Sequence, residues 1–114
     1  MLVQSFLAWM ETAPVRERAE AVTMLANAYL NGALGSDTPQ VVEAALTSVL
    51  DDPAIMVRRA LALAFADRND APRHIILSLA ADQSEVAGLL VARAPLLTEA
   101  DLIDLTVTGE RMTM

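Results

Sequence analysis

Val42, Ala45, Leu46, Val49 and Leu50 are spaced i, i+3, i+4, i+7 and i+8, and Val57, Ala60, Leu61, Ala64 and Phe65 repeat that spacing further along. Each set is an apolar stripe of period ~3.6, the mark of a helix with one face in a core. Val41, Ala44, Ala62 and Leu63 widen the apolar coverage beyond one stripe. Such breadth predicts helices packed between neighbours on both sides. No stretch alternates with the period of two that a half-buried strand requires, so no sheet is expected.

Prolines punctuate this pattern. Pro14, Pro39, Pro53 and Pro72 each suit the first turn of a helix, where a missing N–H is no loss. Asp37 or Thr38, Asp52 and Asp70 precede three of them as candidate N-caps; Ser84 and Thr98 are two more, the latter with Asp101 three residues on. Asn31-Gly32 and Gly109 read as stop signals. The spacing therefore predicts about seven helices, near 2–11, 14–31, 38–51, 53–67, 71–81, 84–94 and 98–108.

"LTSVLDDPAIMVRRALA" and "ILSLAADQSEVAGLLVA" run parallel: each closes a helix, turns at an acidic residue (Asp52, Asp82) and opens another helix with Val57 or Val86. The cycle has an offset of about 30 residues, shorter than the usual HEAT repeat, and restarts at Thr98, so a helical solenoid is the first expectation and an irregular compact helical domain the second. The expected fold is all-α, a short right-handed α–α superhelix. It forms a single helical-repeat domain over 1–114, open to continuation as the N-terminal part of a longer solenoid.

Composition narrows the functional classes. Hydrophobic residues make up 54% but aromatics only 4%, so the core must be built from small and medium aliphatics. A net charge of −7 offers no cationic surface to displace counterions from phosphates, so no nucleic-acid partner is expected. All eight basic residues are arginine, which we read as coding bias. Without cysteine there is no disulfide, Cys-ligated zinc or thiol catalysis, and the chain fits a reducing compartment. The apolar run from Ala60 to Ala66 is bounded by Arg59 and Asp67, far short of the ~20 residues of a membrane span. The opening MLVQSFLAWME lacks a basic leader, so a cytoplasmic location is expected.

The blocks "FLAWMETAPVRERAEAVTMLANAYL", "LDDPAIMVRRALALAFAD" and "APRHIILSLAADQSEVAGLLVARAPLLTEADLIDL", in that order, resemble the alphaproteobacterial family of domain of unknown function 2336. The resemblance runs from Phe6 to Leu105. Within it, Asp52-Pro53 followed by Val57-Arg58 looks like a HEAT-like repeat, and "ARAPLLTEADLIDL" is similar to the leucine-rich-variant repeat. The resemblance implies a HEAT-like solenoid and no assigned activity. It also implies a structural role for Asp52 and Arg58, since in HEAT-like repeats a turn Asp and an Arg six positions later form a ladder of hydrogen bonds between successive repeats. Six residues beyond Asp82 stands Gly88, so any such ladder is short.

Arg59 points about 100° away from Arg58 and shares a strip with Leu63 and Ala66. It is either a solvated charge or, with Leu63 on the concave face through which solenoids bind partners, an anchor for an acidic partner. Arg73 and His74 lie in a first helical turn, where they are surface residues or a cradle for an anion. A lone His without cysteine makes no zinc site, the acidic pairs lack a calcium-binding loop, and no nucleophile or nucleotide motif is present, so neither metal, cofactor nor catalysis is expected. Phe6, Trp9 and Met10 either close the N-terminal end of the core or offer a partner hot spot.

Leu102, Ile103, Leu105 and Val107 on the seventh helix would be covered by a following repeat, yet only "GERMTM" follows that helix. Bare, that end is a candidate self-association surface. Two functions are expected from all this. The first is a non-catalytic scaffold that binds another protein. The alternative is a sensor holding a small anionic ligand through Arg59, Arg73 and His74.

Overall fold

The computed structural model describes residues 2–91 and 93–104. Their regular structure is helical: α1 (Leu2–Met10), α2 (Val15–Asn31), α3 (Pro39–Ser48), α4 (Ile55–Phe65), α5 (Arg73–Ala80) and α6 (Ser84–Val91). A 3-10 turn covers Val49–Asp51, and a further helical stretch spans 99–104. Among the described residues there is no strand. The remainder of the seventh expected helix and the Gly109 stop lie outside them.

α2 packs along α4, and α4 in turn along α6. α3 lies against α2, α5 against α4 and α6, and α1 against α3. The Cα framework measures 44 × 27 × 17 Å. Its thin dimension suits two helical layers at the usual ~8–10 Å axial separation. One apolar cluster extends from Val3 on α1 to Leu90 on α6, with Val22, Leu46, Leu61, Phe65, Ile75 and Leu79 buried at its centre.

Both apolar stripes turn inward. Val42, Ala45, Leu46 and Val49 are buried, as are Val57, Leu61 and Phe65. Ala62, off that stripe, is also fully buried, because α4 is covered by α2 on one side and α6 on another. Val41 and Leu63, in contrast, face solvent at 44% and 48% exposure, so the apolar breadth of α3 and α4 exceeds what the core uses.

The prolines act differently from one another. Pro39 occupies the first turn of α3, behind Thr38, whose hydroxyl accepts the Val41 N–H. Pro14 and Pro72 stand one residue earlier than expected, at the N-cap positions of α2 and α5, in extended backbone. Pro53 lies outside α4 altogether: the Asp52 carboxylate accepts the Ala54 N–H at 2.9 Å, and this tight local turn delays the helix to Ile55. Ser84 is not a cap; α6 hangs from the Gln83 carbonyl, which accepts from Val86 and Ala87. Thr98 and Asp101 do form a reciprocal capping box, Thr98 N–H to the carboxylate and Asp101 N–H to the hydroxyl.

Asp37, the other candidate cap of α3, serves a distant helix. It is buried, and its Oδ2 accepts the Val3 N–H at 3.1 Å, tying the start of α1 to the loop before α3.

α2 ends at Gly32 with φ of 73°, and the Ala33 N–H closes back on the Ala28 carbonyl at 2.9 Å. That reversal needs the left-handed region, which costs an L-residue about 1–2 kcal/mol. Nothing lies within 4 Å of a Cβ built at Gly32, so backbone strain alone sets the penalty. Gly32→Ala is expected to lower the unfolding free energy by about 1–2 kcal/mol, read as a lower urea midpoint with an unchanged m-value.

Candidate functional site

Two half-buried arginines, Arg18 and Arg58, are committed to the fold and so decide what remains for binding. Arg58, the fourth residue of α4, forks onto the Asp82 carboxylate through Nε (2.7 Å) and a terminal nitrogen (3.2 Å). Its other terminal nitrogen donates to the Asp52 backbone carbonyl. Arg18, the fourth residue of α2, repeats the arrangement: it forks onto the Asp52 carboxylate at 3.1 and 3.2 Å and donates to the Ala13 carbonyl at 2.8 Å. In both cases the carbonyl belongs to the residue just before a proline. Asp52 and Arg58 thus each carry a rung, joined to one another only through the Asp52 backbone carbonyl and not carboxylate to guanidinium. Asp52 takes the arginine of the preceding helix pair, and Arg58 reaches forward to the next turn. An arginine in the first turn of a helix cannot fold back onto a carboxylate that is already held by its own turn and by Arg18.

These two rungs pin successive turns together. The side chains of Arg58 and Asp82 are only 11% and 15% exposed. Burial alone would push the Asp82 carboxyl up, but the hydrogen bonds from Arg58 and from the Gln83 N–H outweigh it and hold the group below the usual carboxylate range. The same hydrogen bond raises Arg58. A carboxyl depressed in the folded chain adds stability at pH values above its unfolded value of ~3.9, and that contribution is lost as pH falls through the lower folded value. Denaturation at pH 6 and at pH 3 is expected to show a larger acid loss for the wild type than for Asp82→Asn.

The residues proposed for an anion are not gathered. Arg73 places a terminal nitrogen on both oxygens of Asp101, at 2.9 and 2.8 Å. Hydrogen bonds from the Thr98 backbone, together with Thr98's hydroxyl and Arg73, hold Asp101 below the usual carboxylate range despite some desolvation. His74 instead meets Thr47 of α3, Nε2 to hydroxyl at 3.0 Å. Arg59 is exposed on α4 and makes no hydrogen bond or ion pair with the described residues. Three side chains thus face three surroundings. Among the described residues no group of three or more His, Asp and Glu could hold a metal ion.

What the surface does offer is apolar. Met24 on α2, Met56 and Leu63 on α4 and Val91 on α6 are 73%, 54%, 48% and 45% exposed, one helix row carrying large apolar side chains into solvent. Arg59 shares the Leu63 strip. At the N-terminal end, α1 leans on α3 and leaves a cleft of about 490 Å³ between itself and α2. Phe6 and Trp9 form one wall, Met24 the other, and Ala21, Leu25, Ala28 and Ala33 the floor, with Ser5 as the polar member. Phe6 is buried and Met10 partly so, which closes the core as one reading of this cluster required. Trp9 is not part of that closure. It stays 41% exposed on the cleft wall.

A second notch of about 400 Å³ lies between α1 and the 3-10 turn, lined by Leu7, Met10, Glu11, Ser48, Val49, Asp51 and Asp52, and Arg18 already occupies the last of these carboxylates. At the other end of the chain Leu102 is partly buried and Ile103 is 57% exposed, while Leu105 and Val107 lie outside the described residues.

Sequence reasoning missed Arg18, Asp82 and the cleft. The signal for the arginines was present: "APVRER" and "DPAIMVR" both set an arginine four or five residues after a proline. No comparable signal marks the cleft, which depends on α1 packing against α3 instead of α2.

No protein-family model matches the chain, and no curated protein or solved structure matches it. No described helix is long and apolar enough to cross a membrane.

Proposed function

We propose that this chain is a non-catalytic protein-interaction scaffold, built as a short right-handed HEAT-like solenoid and akin to the domain of unknown function 2336 family. The observation that carries the reading is the α1–α2 cleft, where Trp9 and Met24 stand exposed over an alanine-rich floor on helices fixed by the core. Exposed Trp and Met on rigid elements are the side chains that dominate protein–protein binding energy. The Arg–Asp rungs support the same view, since they commit the best-placed cations to holding the repeats in register. Arg59 and Leu63 extend the surface along α4, and Ile103 offers a separate apolar point through which copies could associate. A cytoplasmic location belongs to this proposal.

Met24→Glu tests it. At 73% exposure the side chain contributes little to the core, so the variant is expected to fold as the wild type does by circular dichroism. A tagged wild-type chain should retain a specific protein from its native host that the variant loses. A bound protein kept equally by both would overturn the role of the cleft.

A further inference from the structure

The charge around the cleft specifies more than hydrophobicity does. Ala21, Met24, Leu25 and Ala28 lie on one face of α2, and Glu17 continues that face by one turn. Glu20 flanks it, and both glutamates are exposed. Of the cations of α2, Arg18 is held by Asp52 and the Ala13 carbonyl, and Arg16 lies one turn before Glu20, about 80° round the helix from Met24 and outside the cleft lining. The chain as a whole carries −7.

An acyl chain with an anionic headgroup fits this poorly. Among the described lining residues Ser5 is the sole polar one and none is a cation for a carboxylate or phosphate, while Glu17 and Glu20 stand nearby on α2. A second copy of a chain this acidic meets the same repulsion. The shape is equally telling. The cleft is open along its length between two helices, and its walls keep Trp9 and Met24 in contact with water, which suits an amphipathic helix laid into a groove.

We propose that the α1–α2 cleft docks a cationic amphipathic helix of a partner protein, with apolar side chains seated between Trp9 and Met24 and basic side chains facing Glu17 and Glu20. This rests on the scaffold reading and names its partner's chemistry.

Trp9 is the only tryptophan, so its emission reports the cleft directly. The probe is a synthetic helical peptide of leucine and lysine with one apolar face, titrated into the full chain. Controls are its glutamate-for-lysine counterpart, laurate, and vesicles of anionic phospholipid. The expected result is a saturable blue shift of Trp9 emission with the lysine peptide, weakened by raising salt and absent with the glutamate peptide, laurate and vesicles. Met24→Glu should weaken binding at least tenfold. Glu17→Gln combined with Glu20→Gln should weaken it several-fold and remove most of the salt dependence, with the melting curve as the control for folding. Equal binding of both peptides, or unchanged affinity in the glutamate variant, would overturn the charge assignment. A shift with laurate or vesicles instead would overturn the protein partner, and a shift on raising protein concentration alone would make the occupant a second copy. If a native partner is lost on Met24→Glu but contacts the cleft with a neutral or acidic segment, this inference fails and the scaffold reading stands.

Discussion

Arg58→Ala is expected to lower the unfolding free energy by about 3 kcal/mol, the low end of what removing one partner from a buried ion pair costs, since this pair is partly buried. The loss falls on two groups at once. Asp82 would keep a carboxylate only 15% exposed with its bidentate partner gone, and the Asp52 carbonyl would lose its donor. Against a typical domain stability of ~5–15 kcal/mol, that is a large share. Arg58→Lys keeps the charge but not the planar fork, so it should recover only part of the loss. The contrast is Arg68→Ala, whose pair with Asp70 is 43% and 48% exposed. Its removal should change stability by no more than ~1 kcal/mol. Urea denaturation of the three variants decides between a rung that fixes the stack and a surface pair. Equal small losses for Arg58 and Arg68 would remove the ladder from the account.

Phe65→Ala should cost at least as much, about 3–5 kcal/mol, by a different route. Phe65 is fully buried near the end of α4, the helix that packs on α2, α5 and α6. Its ring lies 6.3 Å from that of Tyr29, tilted by 59°, an edge-on arrangement worth something beyond area alone. In a chain with so few aromatics the alanines around it cannot swell to fill the space. Phe65→Leu replaces most of the volume and is expected to cost less than ~1.5 kcal/mol. The midpoint in urea should move while m stays constant for the leucine variant. A Phe65→Ala loss below ~1 kcal/mol would mean that the core collapses onto the cavity, contrary to the close packing described.

These two residues also show how far a linear reading reaches. Phe65 was legible: its stripe with Val57 and Leu61 reports a single buried face, and burial follows from helical geometry whatever the neighbours are. The partner of Arg58 was not. A six-residue spacing points at Asp52, whereas the carboxylates that close the rungs lie 24 and 34 residues away from their arginines. Such pairings are set by how one helix pair lies on the next, and the repeat offset of about 30 residues was the one trace of that in the chain. Helix limits shifted for local reasons. The expected helix 38–51 breaks at Ser48, whose hydroxyl takes the Ala45 carbonyl, and tightens into a 3-10 turn; 53–67 starts late because of the Asp52 turn.

The candidate site divides in the same way. Leu63 and Arg59 share an exposed strip, as their register required, but Ala66, expected on the same strip, is fully buried. Arg73 and His74 are neighbours in sequence, but the packing hands one to Asp101 and the other to Thr47. Trp9 is the clearest case. A lone tryptophan in a chain short of aromatic volume would be expected to fill the core, and Phe6 does so instead, buried where Trp9 stays 41% exposed. The cleft beside Trp9 exists only in three dimensions.

Under the proposed scaffold role, binding falls on the α1–α2 cleft and on the exposed apolar side chains of α2, α4 and α6. Hydrogen–deuterium exchange of the chain with and without its native protein partner tests it most directly. Protection confined to α1 and the Ala21–Ala28 face of α2, extending at most to Arg59 and Leu63, is the predicted result. Protection centred on Arg73 and His74, with α1 and α2 unchanged, would contradict it.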